Sequence, residues 1–141
     1  MRLWLAVVMV FLLATGRSYA QSDTTVTASG LKYIILQKGQ GATPGQGAQV
    51  KVNFTGKFKD GHIFDTSALD GRPLKLRLGK GQLIPAWEEI LLLMQVGTKL
   101  IMVVPGALGY GADGLLTDDD KYKVPPNTDL VFELELVSFK K

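Results

Sequence analysis

Apolar and polar residues alternate along three separate stretches of this 141-residue chain, and this alternation constrains the fold more than any other feature. In residues 48–55, 74–78 and 130–136 every second side chain is apolar, and the residues between are mostly polar. A period of two places the apolar side chains on one face of a half-buried strand. Residues 31–36 and 98–104 are further strand candidates, and glycine-rich turns separate several of these stretches. The pattern predicts about five strands.

A helical period occurs in the middle of the chain. Four apolar residues there follow helical spacing: Trp87, Ile90, Leu91 and Met94. Pro85 suits the first turn of a helix, and Gly97 suits its end. Short connections favour antiparallel pairing of the strands, with the helix packed on the apolar face of the sheet. The predicted fold class is therefore α+β, with one short helix on an antiparallel sheet.

The first 20 residues have the three parts of a secretory signal peptide. Arg2 supplies a positive start, residues 3–14 form an apolar run, and Ser18-Tyr19-Ala20 fits a small-x-small cleavage site. The alternative is a membrane anchor, but this run is shorter than the roughly 18 to 20 residues that span hydrocarbon. We therefore expect cleavage after Ala20.

Cleavage at this position divides the chain into three parts. Residues 1–20 form the signal peptide, the polar residues 21–29 form a flexible arm, and residues 30–141 form one domain. The signal peptide indicates export, and a bacterial periplasm is the preferred compartment. Secretion and the endoplasmic reticulum lumen are alternatives, although no KDEL-like address ends the sequence.

The charge of the mature chain is close to neutral. Removal of Arg2 and Arg17 lowers the basic count from 16 to 14 against 13 acidic residues, which leaves a net charge of +1. We therefore expect no nucleic-acid partner and no attraction to an anionic membrane. The chain is expected to be soluble once the signal peptide is removed.

The chain has no cysteine and one histidine, which excludes several kinds of site. Disulfides, thiolate nucleophiles and cysteine-based zinc sites are ruled out, and the usual histidine triads are too. Asp118, Asp119 and Asp120 lie near Asp113 in a long loop over residues 105–127. Consecutive acids rarely converge on one ion, and their spacing lacks the EF-hand pattern. We expect no metal and no cofactor, and a loop that is functional or disordered.

Two interpretations of the remaining residues stay open on composition alone. Asp65 with Glu88 or Glu89 would give a carboxylate hydrolase, although a helix dipole favours acids in a first turn anyway. The other interpretation concerns aromatic residues beside loops, which form either an ordinary core or a pocket. These residues are Phe54, Phe64, Trp87, Tyr110 and Phe132.

A series of short motifs decides between these interpretations. In chain order they are Val52-Asn53-Phe54-Thr55-Gly56, Asp60-Gly61, Phe64-Asp65-Thr66-Ser67, Leu78-Gly79, Leu83-Ile84-Pro85-Ala86-Trp87-Glu88-Glu89, Val96-Gly97, Tyr110-Gly111, Pro125-Pro126 and the LVFELEL run of residues 130–136. Their order resembles that of the FKBP-type peptidyl-prolyl cis-trans isomerases, from about residue 30 to residue 139. The resemblance implies a bent antiparallel sheet wrapped around one helix, with an aromatic pocket for proline between them.

The resemblance also implies roles for particular residues. Ile84 would offer its backbone N–H to a substrate carbonyl, Tyr110 would offer its hydroxyl, and Asp65 would orient polar groups at the pocket wall. The implied substrate-binding residues are Phe54, Phe64, Leu74, Leu83, Trp87, Val124 and Phe132, with Trp87 as the floor. Such a pocket works without metal, cofactor or covalent step.

Three departures from the family pattern keep a second function open. Phe54 stands where tyrosine is usual, Leu74 where an aromatic is common, and residues 117–123 extend the loop after Tyr110. The alternative is a non-catalytic peptide-binding or chaperone module of the same fold. The expected partners are proline-containing polypeptides during folding, with macrolides as further ligands, and the expected state is a monomer.

Overall fold

A computed structural model describes residues 23–141, and within that range it contains nine strands and one α-helix. The strands are β1 (Thr25–Val26), β2 (Lys32–Gln37), β3 (Gln49–Phe58), β4 (Ile63–Thr66), β5 (Leu74–Arg77), β6 (Lys99–Val104), β7 (Leu115–Leu116), β8 (Tyr122–Val124) and β9 (Leu130–Lys140). The helix α1 spans Pro85–Leu91, and 3₁₀ turns span Ser67–Asp70 and Gly106–Leu108. The predicted signal peptide, residues 1–20, lies outside the described residues.

Seven of these strands form one antiparallel sheet. Their order is β1-β2-β6-β9-β3-β4, and β5 pairs with the same edge of β3 as β4 does. Strands β7 and β8 form a separate two-stranded ribbon. The α+β class is confirmed, although the sheet has seven strands where about five were predicted. The two residues of β1 are too few to show a period of two, and this is why the sequence pattern missed that strand.

The alternating pattern of the central strands places their apolar side chains in one core. Along β9 the residues Leu130, Phe132, Leu134 and Leu136 are buried, and the intervening residues are more exposed. Strand β6 repeats this arrangement with Leu100, Met102 and Val104, which pair in register with the buried residues of β9. The buried face of α1 packs against this apolar surface.

Helix α1 is shorter than the sequence predicted. It begins at Pro85, which needs no N–H partner at that position, and its last residue is Leu91. Met94 lies beyond the helix but is still buried, so its spacing reflected burial rather than helical structure. Gly97 adopts φ 86° in the turn before β6 and is not the helix cap. Among the described residues, no helix is long and apolar enough to cross a membrane.

Two segments predicted to lack structure are partly ordered. The arm over residues 21–29 contains β1, which pairs with β2, and the Ser29 hydroxyl donates to the Glu89 carboxylate. The loop over residues 105–127 contains a 3₁₀ turn and the β7–β8 ribbon. Its end is held by Asn127, whose N–H donates to the carbonyl of Gly111 at 2.7 Å. The arm is ordered in part by a contact with the distant Glu89, and the loop by hydrogen bonds between its own residues, neither of which the sequence pattern reveals.

Strand β3 has a gap in its pairing beside the candidate site. Strand β5 pairs with β3 as far as Val52, and β4 pairs with it from Thr55 onward. At Phe54 the hydroxyl of Ser67 takes the place of a strand: it accepts the Phe54 N–H at 3.0 Å. The Thr66 hydroxyl donates to the Phe54 carbonyl, also at 3.0 Å. These two side chains fix the segment that follows Asp65 against β3.

We predict that Ser67→Ala lowers the free energy of unfolding by about 1–2 kcal/mol, because the partly buried Phe54 N–H loses its acceptor. Urea unfolding followed by fluorescence measures this difference. The matched control is Ser29→Ala, which removes an exposed hydroxyl and is expected to change stability by less than about 0.5 kcal/mol. Equal stability of the two variants would show that the Ser67 hydroxyl does not close the gap in β3.

Candidate active site

A cleft of about 130 Å³ opens where α1 meets β3, β4 and β5. Eleven residues line it: Phe54, Phe64, Asp65, Leu74, Leu76, Gln82, Leu83, Ile84, Trp87, Tyr110 and Phe132. Nine of the ten residues that the resemblance assigned to a pocket are among them. Stretches of the chain that are far apart in sequence therefore meet in one place, with the indole of Trp87 and the phenol of Tyr110 in the same cleft.

Val124 is the exception and does not line the cleft. Its side chain is fully buried in the core, and its backbone pairs with Leu115 in the β7–β8 ribbon. The structure thus places Val124 in the core beside the cleft, and its contact with a substrate stays a prediction. It anchors the ribbon beside the cleft.

Aromatic rings meet edge to face at the base of the cleft. Trp87 is only 5% exposed, and its ring centroid lies 5.1 Å from that of Phe54 and 5.5 Å from that of Phe132. The interplanar angles are 75° and 79°, so the edge of one ring meets the face of another. Phe64 meets Phe132 in the same manner, with centroids 5.7 Å apart. The result is a rigid apolar base with little access for water.

Gly56 makes room for two of these rings. A Cβ atom at this position would lie 2.6 Å from Cζ of Phe64 and 2.9 Å from Cε1 of Phe132. Gly56 pairs with Phe132 on β9 and with Asp65 on β4, and the space left by its missing side chain is bounded by the rings of Phe64 and Phe132. The sequence motif included this glycine, but its packing role is visible only in the structure.

Asp65 forms a polar wall of the cleft. Its Oδ1 accepts the N–H of Thr66 at 2.9 Å, and its Oδ2 lies 3.4 Å from Nζ of Lys123. The two side chains are 41% and 37% exposed, so water screens the pair in part. Lys123 belongs to β8 and was not among the predicted site residues.

Tyr110 contributes the phenol hydroxyl to the cleft. Burial raises the pKa of this phenol above its ordinary value, and the negative charge of Asp65 raises the pKa further. Both effects favour the neutral form. The hydroxyl therefore keeps its proton, and with it the capacity to donate a hydrogen bond, throughout the neutral pH range.

Ile84 lies at the N-terminus of α1, as its N-cap residue. Its carbonyl accepts the N–H groups of Trp87 and Glu88 at 3.0 and 3.2 Å. The N–H of an N-cap residue takes no part in the helical hydrogen bonds, so this group is available to a ligand. The backbone of Ile84 is extended, at φ −64° and ψ 152°.

Sequence reasoning missed Leu76 and Gln82 as lining residues. Leu76 is two residues from Leu74 on β5, so the period of two could have placed both side chains on one face. Gln82 lies in the connection to α1, where its Oε1 accepts the N–H of Arg77 at 3.1 Å. No pattern in the sequence marks that contact.

The geometry argues against the carboxylate hydrolase. Glu88 binds the N–H of Gly79 through both carboxylate oxygens, at 3.1 and 3.0 Å, and Glu89 accepts from Ser29. Neither glutamate lines the cleft, and Asp65 is the one acid in its wall. A pair of acids facing one bond is therefore not formed there.

A larger depression of about 690 Å³ lies beside β3, β6 and β9, around outward-facing residues of these strands. Its charged and polar side chains bind one another: Lys99 pairs with Glu135 at 3.2 Å, and Asn53 donates to Glu135 at 2.9 Å. Of the five aromatic residues that line the smaller cleft, only Phe54 also lines this depression. The smaller cleft is therefore the candidate active site.

Comparison with known proteins agrees with the fold. The sequence signature of the FKBP-type peptidyl-prolyl cis-trans isomerase family matches residues 40–137. The chain belongs to this family of enzymes.

The relatives include bacterial and eukaryotic proteins. The FKBP-type 22 kDa peptidyl-prolyl cis-trans isomerase of Escherichia coli is 39% identical over 79% of this chain, which spans only 50% of that relative. FK506-binding protein 1 of Dictyostelium discoideum is 37% identical over 79% of this chain and 99% of the relative. The crystal structure of a peptidyl-prolyl isomerase from Pseudomonas syringae superposes with a TM-score of 0.73 at 33% identity, covering 86% of this chain and 84% of that one.

We predict that Gly56→Ala destabilises the protein by about 1–3 kcal/mol, because the added methyl overpacks the rings of Phe64 and Phe132. Urea unfolding measures the stability, and ring-proton NMR shifts of the two phenylalanines report their displacement. Gly45→Ala is the matched control, since nothing lies within 4 Å of a Cβ atom at that position. Unchanged ring shifts in Gly56→Ala would contradict the close contact.

Proposed function

We propose that this protein accelerates the cis–trans isomerisation of X–Pro bonds, and that the cleft holds the proline ring against Trp87. The observation that carries the proposal is the convergence of Phe54, Trp87 and Phe132 edge to face at the base of a small cleft. The size and apolar character of this base suit a five-membered imino-acid ring. The family to which the chain belongs supports the same activity.

The chemistry of the bond explains why such a cleft is sufficient. Rotation about the amide bond crosses a barrier of roughly 18–20 kcal/mol, because resonance gives the C–N bond partial double-bond character. The planar amide is more polar than the twisted one, so an apolar base favours the twisted state relative to the planar state. Each 1.4 kcal/mol or so of such preference raises the rate about tenfold.

Three polar groups around the cleft can hold the twisted amide. The N–H of Ile84 and the hydroxyl of Tyr110 donate hydrogen bonds to carbonyl oxygens of the substrate. Asp65 lies in the wall and orients polar groups near the rotating bond. None of these roles requires a nucleophile, a metal or a cofactor.

A non-catalytic peptide-binding or chaperone module is the second candidate. Leu74 is 36% exposed at the rim of the cleft, where it leaves the mouth wider than a ring would. A wide mouth favours binding of many sequences over tight positioning of one bond. Phe54 stands where tyrosine is usual in the family pattern, so the cleft lacks one hydroxyl that could position the bond. This departure also favours the binding module.

The proposed partners follow from the cleft. They are unfolded or folding polypeptides that present proline, together with macrolides, which the name of the Dictyostelium relative supports. The protein acts as a monomer on exported clients, with the periplasm as the preferred compartment.

We predict that the chain from Gln21 to Lys141 isomerises a proline tetrapeptide well above the uncatalysed rate. Phe54→Leu should reduce kcat/KM about two- to tenfold, because the edge-to-face contact with Trp87 is lost. Asp65→Asn should reduce it by about tenfold or more, since a charged group in the wall is neutralised. A protease-free NMR exchange assay measures all three rates.

Matched controls separate the cleft from general stability. Phe139→Leu alters another half-buried phenylalanine that packs on the core but not on the cleft, and Asp70→Asn neutralises an acid outside it. Both controls should keep the activity of the unmodified protein. A rate no better than buffer in the unmodified protein, with peptide binding retained, would favour the binding module.

We predict that export removes the first 20 residues. When the full chain is expressed in a bacterium, mass spectrometry of the periplasmic protein should give a mature chain that begins at Gln21. Ala20→Arg places a long charged side chain at the small-residue position and should block cleavage. Recovery of the unmodified chain from the cytosol with residues 1–20 attached would overturn the proposed export.

A further inference from the structure

Lys123 is the one positive charge seen in contact with the polar wall of the cleft among residues 23–141. Its Nζ lies 3.4 Å from Oδ2 of Asp65, while the other oxygen of Asp65 accepts the N–H of Thr66 at 2.9 Å. The two oxygens of the carboxylate are thus held by groups from different parts of the fold. Thr66 belongs to β4, and Lys123 belongs to β8 of the ribbon.

The ribbon fixes the position of Lys123. The next residue, Val124, is fully buried in the core, and it pairs with Leu115 on β7. Gly114 allows this close packing, because a Cβ atom there would lie 2.5 Å from the carbonyl oxygen of Val124. The buried Val124 therefore anchors the end of the segment over residues 117–123 and places Lys123 beside Asp65.

The neighbouring lysine of the same segment has a different partner. Nζ of Lys121 lies 2.8 Å from a carboxylate oxygen of Asp119, at the turn of the ribbon, and its side chain is 79% exposed. The two lysines share a segment and a charge, but only Lys123 reaches the cleft. Lys121 is therefore a matched control for Lys123.

We propose that Lys123 is a positioning residue for the isomerisation, which holds the Asp65 carboxylate in the orientation that faces the substrate. This inference rests on the proposed function and adds a residue to its machinery. With Lys123 present, each carboxylate oxygen has a partner, and rotation of the carboxylate would break both contacts. Without it, one oxygen is free and its negative charge is uncompensated at the edge of the cleft.

The experiment is a double-mutant cycle between Lys123→Met and Asp65→Asn, with Lys123→Arg and Lys121→Met beside it. We expect Lys123→Met to lower kcat/KM about two- to fivefold, the range for a partly exposed ion pair. In the Asp65→Asn background the same change should have no further effect, since the partner charge is already absent. Lys123→Arg should restore the activity, and Lys121→Met should not alter it. If the double variant loses kcat/KM by the product of the two single losses, the two residues act independently and the proposal is overturned.

A second measurement tests the contact without relying on catalysis. The N–H of Thr66 donates to Oδ1 of Asp65, so the Thr66 amide resonance reports the orientation of the Asp65 carboxylate. Lys123→Met should shift this resonance, and Lys121→Met should leave it in place. An unchanged Thr66 resonance in Lys123→Met would overturn the proposal, while the expected shift without isomerase activity in the unmodified protein would overturn the proposed function and leave the contact between Lys123 and Asp65 standing.

Discussion

The edge-to-face contacts of Trp87 hold the helix and the sheet together, and the rest of the structure depends on them. The indole joins α1 to Phe54 on β3 and to Phe132 on β9, and its ring is almost fully buried. The same ring closes the core from one side and forms the base of the cleft on the other. The indole of Trp87 therefore contributes both to the stability of the core and to the shape of the cleft. The cleft keeps its shape as long as the core is folded.

Strand β3 then determines which groups surround that base. It pairs with β9 along its whole length on one side, while β5 and β4 divide the other side between them. The chain leaves the sheet between these two strands, and the hydroxyls of Thr66 and Ser67 bind the carbonyl and the N–H of Phe54, which neither strand pairs. Because the chain leaves the sheet at this position and returns to it, both Asp65 on β4 and Leu74 on β5 line the same cleft.

Much of this arrangement could be predicted from the sequence, because it follows from regular burial. The alternation in β3 and β9 predicted the apolar faces that form the core, and the order of the motifs predicted that Phe54, Trp87 and Tyr110 share one pocket. The sequence did not reveal Lys123, since 58 positions separate it from Asp65 and only the folded ribbon joins them. The surroundings of Val124 could not be predicted for a related reason: its apolar character predicts burial, but not whether it faces the core or the cleft. Gly56 leaves room for the rings of Phe64 and Phe132, and this role is visible only once the positions of those rings are known.

The proline that opens α1 has a consequence for the group before it. A residue that precedes proline is sterically confined to extended conformations, and Ile84 adopts one of them. The backbone that carries its amide N–H is thus restricted by covalent structure, before any peptide enters. Ordering one residue of backbone costs roughly 1–2 kcal/mol, and much of that cost is met when the protein folds. The steric effect of Pro85 on Ile84 therefore orders the backbone around the N–H of Ile84 while the protein folds. A peptide that binds in the cleft meets this donor already ordered.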